Sequence, residues 1–191
     1  MPARRASALA ALSLFAALSS PVQASEDLLG LFADPSATLC AAPTAAYATT
    51  SLYVIACLDA IDVLTAAEFA LTGFSLSPGY PLGLCTPQWN SPLVIGTLDE
   101  DFAIAFNTPL AGPLALLGRL DFQPFGTTWP GPNGQLRVIA GSAREAVILV
   151  DSEAVEHDAL GGRFTFNCSE NCNCGPAGTA SLSIGEVKQL Y

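Results

Sequence analysis

The sequence is poor in basic residues. It has seven Lys and Arg against 17 Asp and Glu, which gives a formal net charge of −10 over 191 residues. Nucleic acids and anionic membrane surfaces both attract proteins through a positive field. The shortage of positive charge therefore argues against both as partners.

The motifs of common enzyme classes are also missing. The chain has no G-x-S-x-G nucleophile elbow, no H-E-x-x-H and no phosphate-cradling G-x-x-x-x-G-K. Its single histidine, His157, lies between Glu156 and Asp158 and could act as a general base beside a carboxylate. An exposed acidic loop is the simpler interpretation, and no carboxylates stand out as a glycosidase pair. We expect no enzymatic activity, with a hydrolase-type enzyme of unrecognised site as the minor alternative.

No apolar run after the N-terminal region reaches the ~18 residues that suggest a membrane-spanning helix. The N-terminal region itself combines a basic start, an apolar run over residues 8–17, and Val22 and Ala24 at the −3 and −1 positions of a cleavage site. This pattern predicts a signal peptide over residues 1–24 and a single mature domain over residues 25–191. Loss of Arg4 and Arg5 leaves five basic residues against 17 acidic ones, a formal net charge of −12. We expect a bacterial protein that is secreted, periplasmic or attached to the cell surface.

The six cysteines fall into two groups. Three are clustered near the C-terminus and three are spread through the N-terminal half: Cys168, Cys172 and Cys174, then Cys40, Cys57 and Cys85. In an exported chain they predict up to three disulfides, whose pairing the sequence leaves open. Cys172 and Cys174 are too close for an easy mutual bridge, so at least one should reach elsewhere. The cluster lacks the paired C-x2-C spacing of zinc domains, which makes a metal site or a reactive thiol the alternative.

Short apolar or alternating segments separated by Pro and Gly predict an all-β protein. Strands are expected at residues 28–33, 51–58, 65–76, 102–107, 116–123, 136–140, 146–150 and 163–168, with loops at 34–50, 78–92, 126–134 and 151–162. Residues 102–123 are expected to form an antiparallel hairpin at the centre of one sheet. The last strand places Phe164, Phe166 and Cys168 on one face, where the cysteine could form a disulfide across the core. The predicted fold is an antiparallel β-sandwich stapled by disulfides, with an α+β domain carrying a helix near residues 60–72 as the alternative.

Two features suggest binding. Trp89 and Trp129 lie in Pro- and Gly-rich loops, where they could contact a protein or a glycan, or cover the open end of a sandwich. Two acidic clusters, residues 99–101 and 151–153, could supply oxygen ligands to calcium. Neither cluster matches a calcium-binding loop motif, so solvated loops are the simpler interpretation.

Both ends of the mature chain resemble a group of uncharacterised bacterial exported proteins. The resemblance covers residues 29–34 and the tail over residues 184–191, where Gly185, Val187, Lys188, Leu190 and Tyr191 match a Trp-Gly-x-Val/Ile-Lys-x-Leu-Tyr pattern and Ile184 replaces the tryptophan. It implies a cohesin-like or immunoglobulin-like sandwich without an assigned activity. We therefore expect a non-catalytic domain that binds a protein or glycan, with a purely structural envelope component as the alternative. No cofactor is expected, with calcium at the acidic loops as the alternative.

Overall fold

A computed structural model describes residues 26–73, 83–126, 134–169, 172 and 174. Within these ranges the chain forms twelve strands and no helix. The strands are β1 Leu28–Phe32, β2 Ala41–Ala42, β3 Thr50–Cys57, β4 Val63–Thr72, β5 Gly83–Trp89, β6 Leu93–Gly96, β7 Phe102–Ala111, β8 Leu114–Pro124, β9 Gly134–Ile139, β10 Val147–Val150, β11 Glu156–Gly161 and β12 Arg163–Phe166. The described ranges accordingly hold no helix of the length and apolarity that crossing a membrane requires.

The strands form two layers, which we call sheet I and sheet II. In sheet I, β4 pairs with β7 along one side and with both β9 and β10 along the other. The sheet continues outward to β6 beyond β7, and to β11 and β12 beyond β10 and β9. Sheet II has the order β1-β3-β8-β5. The first strand also joins the two layers, because β1 pairs with β11.

The pairing is mixed, which corrects the expectation of a purely antiparallel sandwich. The β1–β11 and β2–β12 pairs are parallel, whereas every other pair is antiparallel among the described strands. Both parallel pairs join an N-terminal strand to a C-terminal strand. The two ends of the described chain therefore meet on the same side of the molecule.

The core lies between the two sheets. Phe164 and Phe166 are fully buried, and the ring of Phe166 in sheet I lies 5.3 Å from that of Phe122 in sheet II. On the opposite side of the sandwich, Trp89 at the end of β5 lies 4.6 Å from Phe102 in β7. These aromatic contacts bury large apolar surfaces between the layers, which is the main favourable term in folding.

The predicted hairpin over residues 102–123 is wrong. Strand β7 pairs with β4 and β6 in sheet I, and β8 pairs with β3 and β5 in sheet II. The chain thus crosses from one layer to the other at Gly112 and Pro113. Alternation shows which face of a strand is buried. It does not show whether two consecutive strands pair in a hairpin or lie in different sheets, because the alternation is the same in both cases.

Several predicted loops contain strands. Strand β2 lies within residues 34–50, β5 within residues 78–92, and β11 within residues 151–162. Pro87 is accommodated because β5 is an edge strand that pairs with β8 alone, and an edge strand does not need every N–H group. The strand prediction near residues 65–76 is confirmed by β4, which excludes the helix considered there.

Candidate functional site

The outer surface of sheet I carries an apolar patch built from four neighbouring strands. The strand registers place its residues in two rows across β6, β7, β4 and β10. The first row is Leu93, Ala105, Ala66 and Val150, and the second is Ile95, Ala103, Glu68 and Ile148. We call these eight residues the apolar face.

The apolar face is concave. Small alanine side chains occupy its centre, and larger aliphatic side chains border it on β6 and β10. The result is a depression of about 150 Å³ lined by these residues and Glu156. Leu93 and Ile95 remain 51% and 70% exposed. A depression with an apolar centre and exposed aliphatic side chains at its border is a candidate site of interaction.

Acidic groups border the depression. Strand β11 places Glu156 beside Val150 and Asp158 beside Ile148, so that the two rows end in carboxylates. Arg144 donates to Glu68 and Glu156 with Nη–Oε distances of 3.0 Å each. The hydrogen bonds that Arg144 donates to Glu68, and then those to Glu156, raise the pKa of its guanidinium above the ordinary value. One cation is therefore shared by two carboxylates, and the border keeps a net negative charge.

Strand β6 adds an open sheet edge. It pairs with β7 alone, and all four of its residues, Leu93 to Gly96, are exposed. Exposed edges are usually protected by proline or charge. Strand β5 carries Pro87, but β6 contains neither proline nor a charged residue. The apolar face thus continues to an edge whose backbone groups can accept another strand.

The structure places Trp89 in the core rather than on a loop. Its ring packs against Phe102 at 4.6 Å and Phe69 at 6.4 Å, and it is half-buried. The sequence left open whether Trp89 contacts a ligand or covers the open end of the sandwich, and these ring contacts agree with the second interpretation. Trp129 lies outside the described residues, as does the C-terminal tail.

Four of the six cysteines form disulfides. One disulfide joins Cys40 to Cys174, 134 residues apart in the sequence, and the other joins Cys168 to Cys172, four residues apart. Cys174 thus ties the C-terminal region to the N-terminal half. Cys168 does not cross the core, although Phe164 and Phe166 before it are buried. Asn167 adopts a positive φ of 49°, which interrupts the strand before the cysteine and explains why the predicted face ends there.

Cys57 and Cys85 are free thiols, which corrects their assignment as disulfide candidates. Cys57 lies opposite Leu114 at one end of β8, and Cys85 lies opposite Phe122 near the other end. Eight residues of strand separate these positions, or roughly 27 Å at the usual rise per residue. A disulfide joins Cα atoms no more than about 7 Å apart. Burial raises the pKa of Cys85 to about 11, with Asp121 contributing, so this thiol is poorly reactive.

His157 belongs to β11 and contacts a carboxylate. Its Nε2 lies 2.8 Å from Asp151 Oδ2. The other oxygen of Asp151 accepts backbone N–H bonds from Glu153 and Val155 at 2.8 and 3.0 Å. These bonds hold the turn between β10 and β11, so the pair has a structural use at this position.

The acidic clusters are also engaged in loop contacts. The carboxylate of Asp101 accepts hydrogen bonds from the backbone N–H and the hydroxyl of Ser142. Asp151 holds the β10–β11 turn. Within the described ranges, no group of three or more His, Cys, Asp or Glu side chains is arranged to hold a metal ion.

Comparison with known proteins gives only distant likenesses. No family model and no curated protein is a significant match. A crystal structure of a CaDoc0917 variant in complex with CaCohA2 at pH 5.5 is 14% identical over 73% of this chain and 99% of that chain, with a TM-score of 0.43. A non-cellulosomal cohesin from the hyperthermophilic archaeon Archaeoglobus fulgidus is 11% identical over 74% and 91% of the two chains, with a TM-score of 0.36. The molecule is a disulfide-containing β-sandwich, and these likenesses are too distant to inform its function.

The apolar face was not predicted from the sequence. Its members come from three separate parts of the chain, namely β4, the consecutive strands β6 and β7, and β10, and only the strand registers bring them together. Two signals pointed towards it. Residues 93–95 form an apolar run beside an acidic cluster, and alanines occupy the outward positions of β7 at 103 and 105.

Proposed function

We propose that the protein is a non-catalytic, exported β-sandwich that binds a partner protein on the apolar face of sheet I. The observation that carries this proposal is the concave, alanine-lined surface, bordered by exposed Leu93 and Ile95. Such a surface loses unfavourable contact with water when a complementary surface covers it.

The acidic border indicates the chemistry of the partner. Glu68 and Glu156 share one arginine, and Asp158 adds a further carboxylate beside them. Complementary charge across an interface directs encounter and orientation. The expected partner therefore presents aliphatic side chains that enter the depression and basic side chains that meet its border.

Export is part of the proposal. The leader-like pattern of residues 1–24 motivates it, and two disulfides support it, because such bonds persist mainly outside the reducing cytosol. The intact mass of protein recovered from the producing bacterium tests this part. A mass that begins at Ser25 and includes two disulfides is expected, whereas a mass that retains residues 1–24 would contradict export by a cleaved leader.

The binding test compares variants of the apolar face with a variant of the opposite sheet. Ile95→Glu and Ala103→Glu place charge on the apolar face, while Gln88→Ala changes an exposed residue of β5. Each protein is immobilised, exposed to extracytoplasmic extract, and washed at low and high salt. We expect one partner to be retained by wild type and Gln88→Ala, lost by both charged variants, and weakened by salt.

Two outcomes would reject the proposal. Equal retention by the charged variants would show that binding occurs elsewhere. Concentration-dependent dimerisation in sedimentation velocity, abolished by Ile95→Glu, would instead assign the face to a second copy of the chain and favour a structural role. Unchanged thermal unfolding of the variants confirms that loss of binding is not loss of folding.

A further inference from the structure

The outer surface of sheet II has a different chemistry from that of sheet I. The registers of β3, β8 and β5 again place its residues in rows. From one end to the other, the rows are Tyr53, Arg119 and Gln88, then Ser51, Asp121 and Thr86, then Gln123 and Leu84. We call this surface the polar face.

Three planar side chains at its centre hold one another in place. Asp121 Oδ2 accepts bonds from Arg119 Nη2 at 3.0 Å and Gln88 Nε2 at 2.9 Å. Its Oδ1 accepts a bond from Ser51 Oγ at 2.7 Å, and Arg119 Nη2 also donates to Gln88 Oε1 at 3.1 Å. The charges of Arg119 and Asp121 compensate each other. The face therefore offers fixed donors and acceptors without a net charge.

Tyrosines lie at both ends of the polar face. Tyr53 is half-buried beside Arg119, and its hydroxyl has no hydrogen-bond partner in the part of the chain that the structure describes. Tyr47 lies at the Gln123 end and is 68% exposed. Its backbone is fixed there, because its N–H donates to the Pro124 carbonyl at 2.8 Å and its carbonyl accepts from Gln123 Nε2 at 2.8 Å. Four residues of β8 separate the two rows, or roughly 14 Å.

We propose that the polar face binds a neutral, linear polysaccharide. The C–H faces of sugar rings pack on aromatic rings, which Tyr53 and Tyr47 supply at the two ends. Neighbouring hydroxyls of a sugar each donate and accept, which matches a guanidinium, a carboxylate and an amide held next to one another by their hydrogen bonds. The distance of roughly 14 Å between the two tyrosine-bearing rows suits a short run of sugar units lying along β8.

Charge and polarity select this ligand over other classes. The expected mature net charge of −12 opposes polyanionic glycans, and the one arginine of the face is already paired with Asp121. Protein interfaces centre on apolar or aromatic residues that enter pockets. Here the centre is a hydrogen-bonded polar group instead. This inference is independent of the proposed protein partner, because it uses the opposite sheet.

Affinity electrophoresis tests the proposal with the folded mature chain. Native gels contain soluble mixed-linkage β-glucan, xylan or glucomannan, and a gel without polysaccharide gives the reference mobility. We expect retardation of the wild type by at least one of the three polymers. Gln88→Ala and Tyr53→Ser should each weaken binding about tenfold, since the loss of one hydrogen-bonding or aromatic contact is an effect of about this size. Gln88 is exposed on an edge strand, so its replacement leaves folding intact.

The matched control is Ile95→Glu on the apolar face, with its extra charge corrected by the reference gel. It should bind the polysaccharide as the wild type does. Failure of the wild type to be retarded by any of the three polymers would overturn the proposal. So would retardation that is unchanged in both Gln88→Ala and Tyr53→Ser. A further gel contains the polyanion alginate, and stronger retardation there than in the neutral polymers would show that the charge argument is wrong.

Discussion

Asp151 links local structure to acid stability at the residue scale. The hydrogen bond from His157, followed by those from the backbone of Val155 and Glu153, lowers the pKa of its carboxyl below the ordinary 3.8. A carboxyl whose pKa is lower in the folded state stabilises the fold above its unfolded pKa. That contribution is lost as pH falls through the folded value. We therefore predict that Asp151→Asn flattens the acid limb of the stability curve.

Urea unfolding midpoints between pH 6 and pH 2 measure this effect. The wild type should lose stability below about pH 4, near the ordinary pKa of a carboxyl group, more steeply than Asp151→Asn. His157→Gln keeps a donor near the carboxylate and should give an intermediate slope. Identical slopes in wild type and Asp151→Asn would mean that the turn contacts do not form in solution.

The free cysteines allow a second test at the same scale. Alkylation requires the thiolate. Burial raises the pKa of Cys57, with a contribution from Asp59, and raises that of Cys85 to about 11. We predict slow labelling of both by iodoacetamide at pH 8 in the native protein, with Cys85 the slower. In urea without reductant two thiols should label quickly, and with reductant all six. Labelling of four, or of none, without reductant would contradict the pairing described above.

At the scale of strands, the sequence predicted which residues of a strand face the core better than it predicted which strands pair with each other. The alternation in β4, β7 and β12 gave the buried positions, including Phe102, Phe164 and Phe166, because a period of two fixes side-chain direction. It could not give the neighbours of β7 and β8, since pairing depends on contacts far apart in the chain. Strand β5 was not predicted, because proline is typical of loops and Pro87 is accommodated only because β5 is an edge strand.

Strand β5 also closes the open side of the sandwich through Trp89. Gly118 lies opposite, and a Cβ there would approach the ring at 2.6 Å. We predict that Trp89→Ala destabilises the protein by about 3 kcal/mol, the lower end for a buried aromatic because Trp89 is only half-buried. Urea unfolding measures the change. Trp89→Phe should recover a large part, whereas a loss below about 0.5 kcal/mol, the usual limit for a surface substitution, would place the ring on the surface.

At the scale of the whole molecule, the outer surfaces of sheet I and sheet II differ in chemistry because their strands carry different outward-facing side chains. Apart from Glu68, the outward residues in the rows across β6, β7, β4 and β10 are aliphatic or small, whereas most of those across β3, β8 and β5 carry polar groups, with Leu84 the exception. The sequence shows each of these residues, but not their grouping, because neighbouring strands such as β4 and β10 are about eighty residues apart. The β-sandwich was predictable from short alternating strands and turns, and the presence of disulfides from the six cysteines of a chain expected to be exported. Which cysteines pair was not predictable. The apolar face and the polar face could be recognised only from the strand registers.

The long disulfide has the largest expected effect on the stability of the whole molecule. Cys40 directly precedes β2, which pairs with β12, so the Cys40–Cys174 bond reinforces the contact between the two ends of the described chain. By the chain-entropy model, closing a loop over a separation of 134 residues contributes about 5 kcal/mol and closing one of four residues about 2 kcal/mol. Cys40→Ser with Cys174→Ser should therefore lower the urea midpoint more than Cys168→Ser with Cys172→Ser. The double replacement of the free Cys57 and Cys85 by Ser controls for the loss of sulfur itself. A greater loss from the short-loop pair would show that the Cys168–Cys172 bond, and not the connection between the ends, stabilises the sandwich.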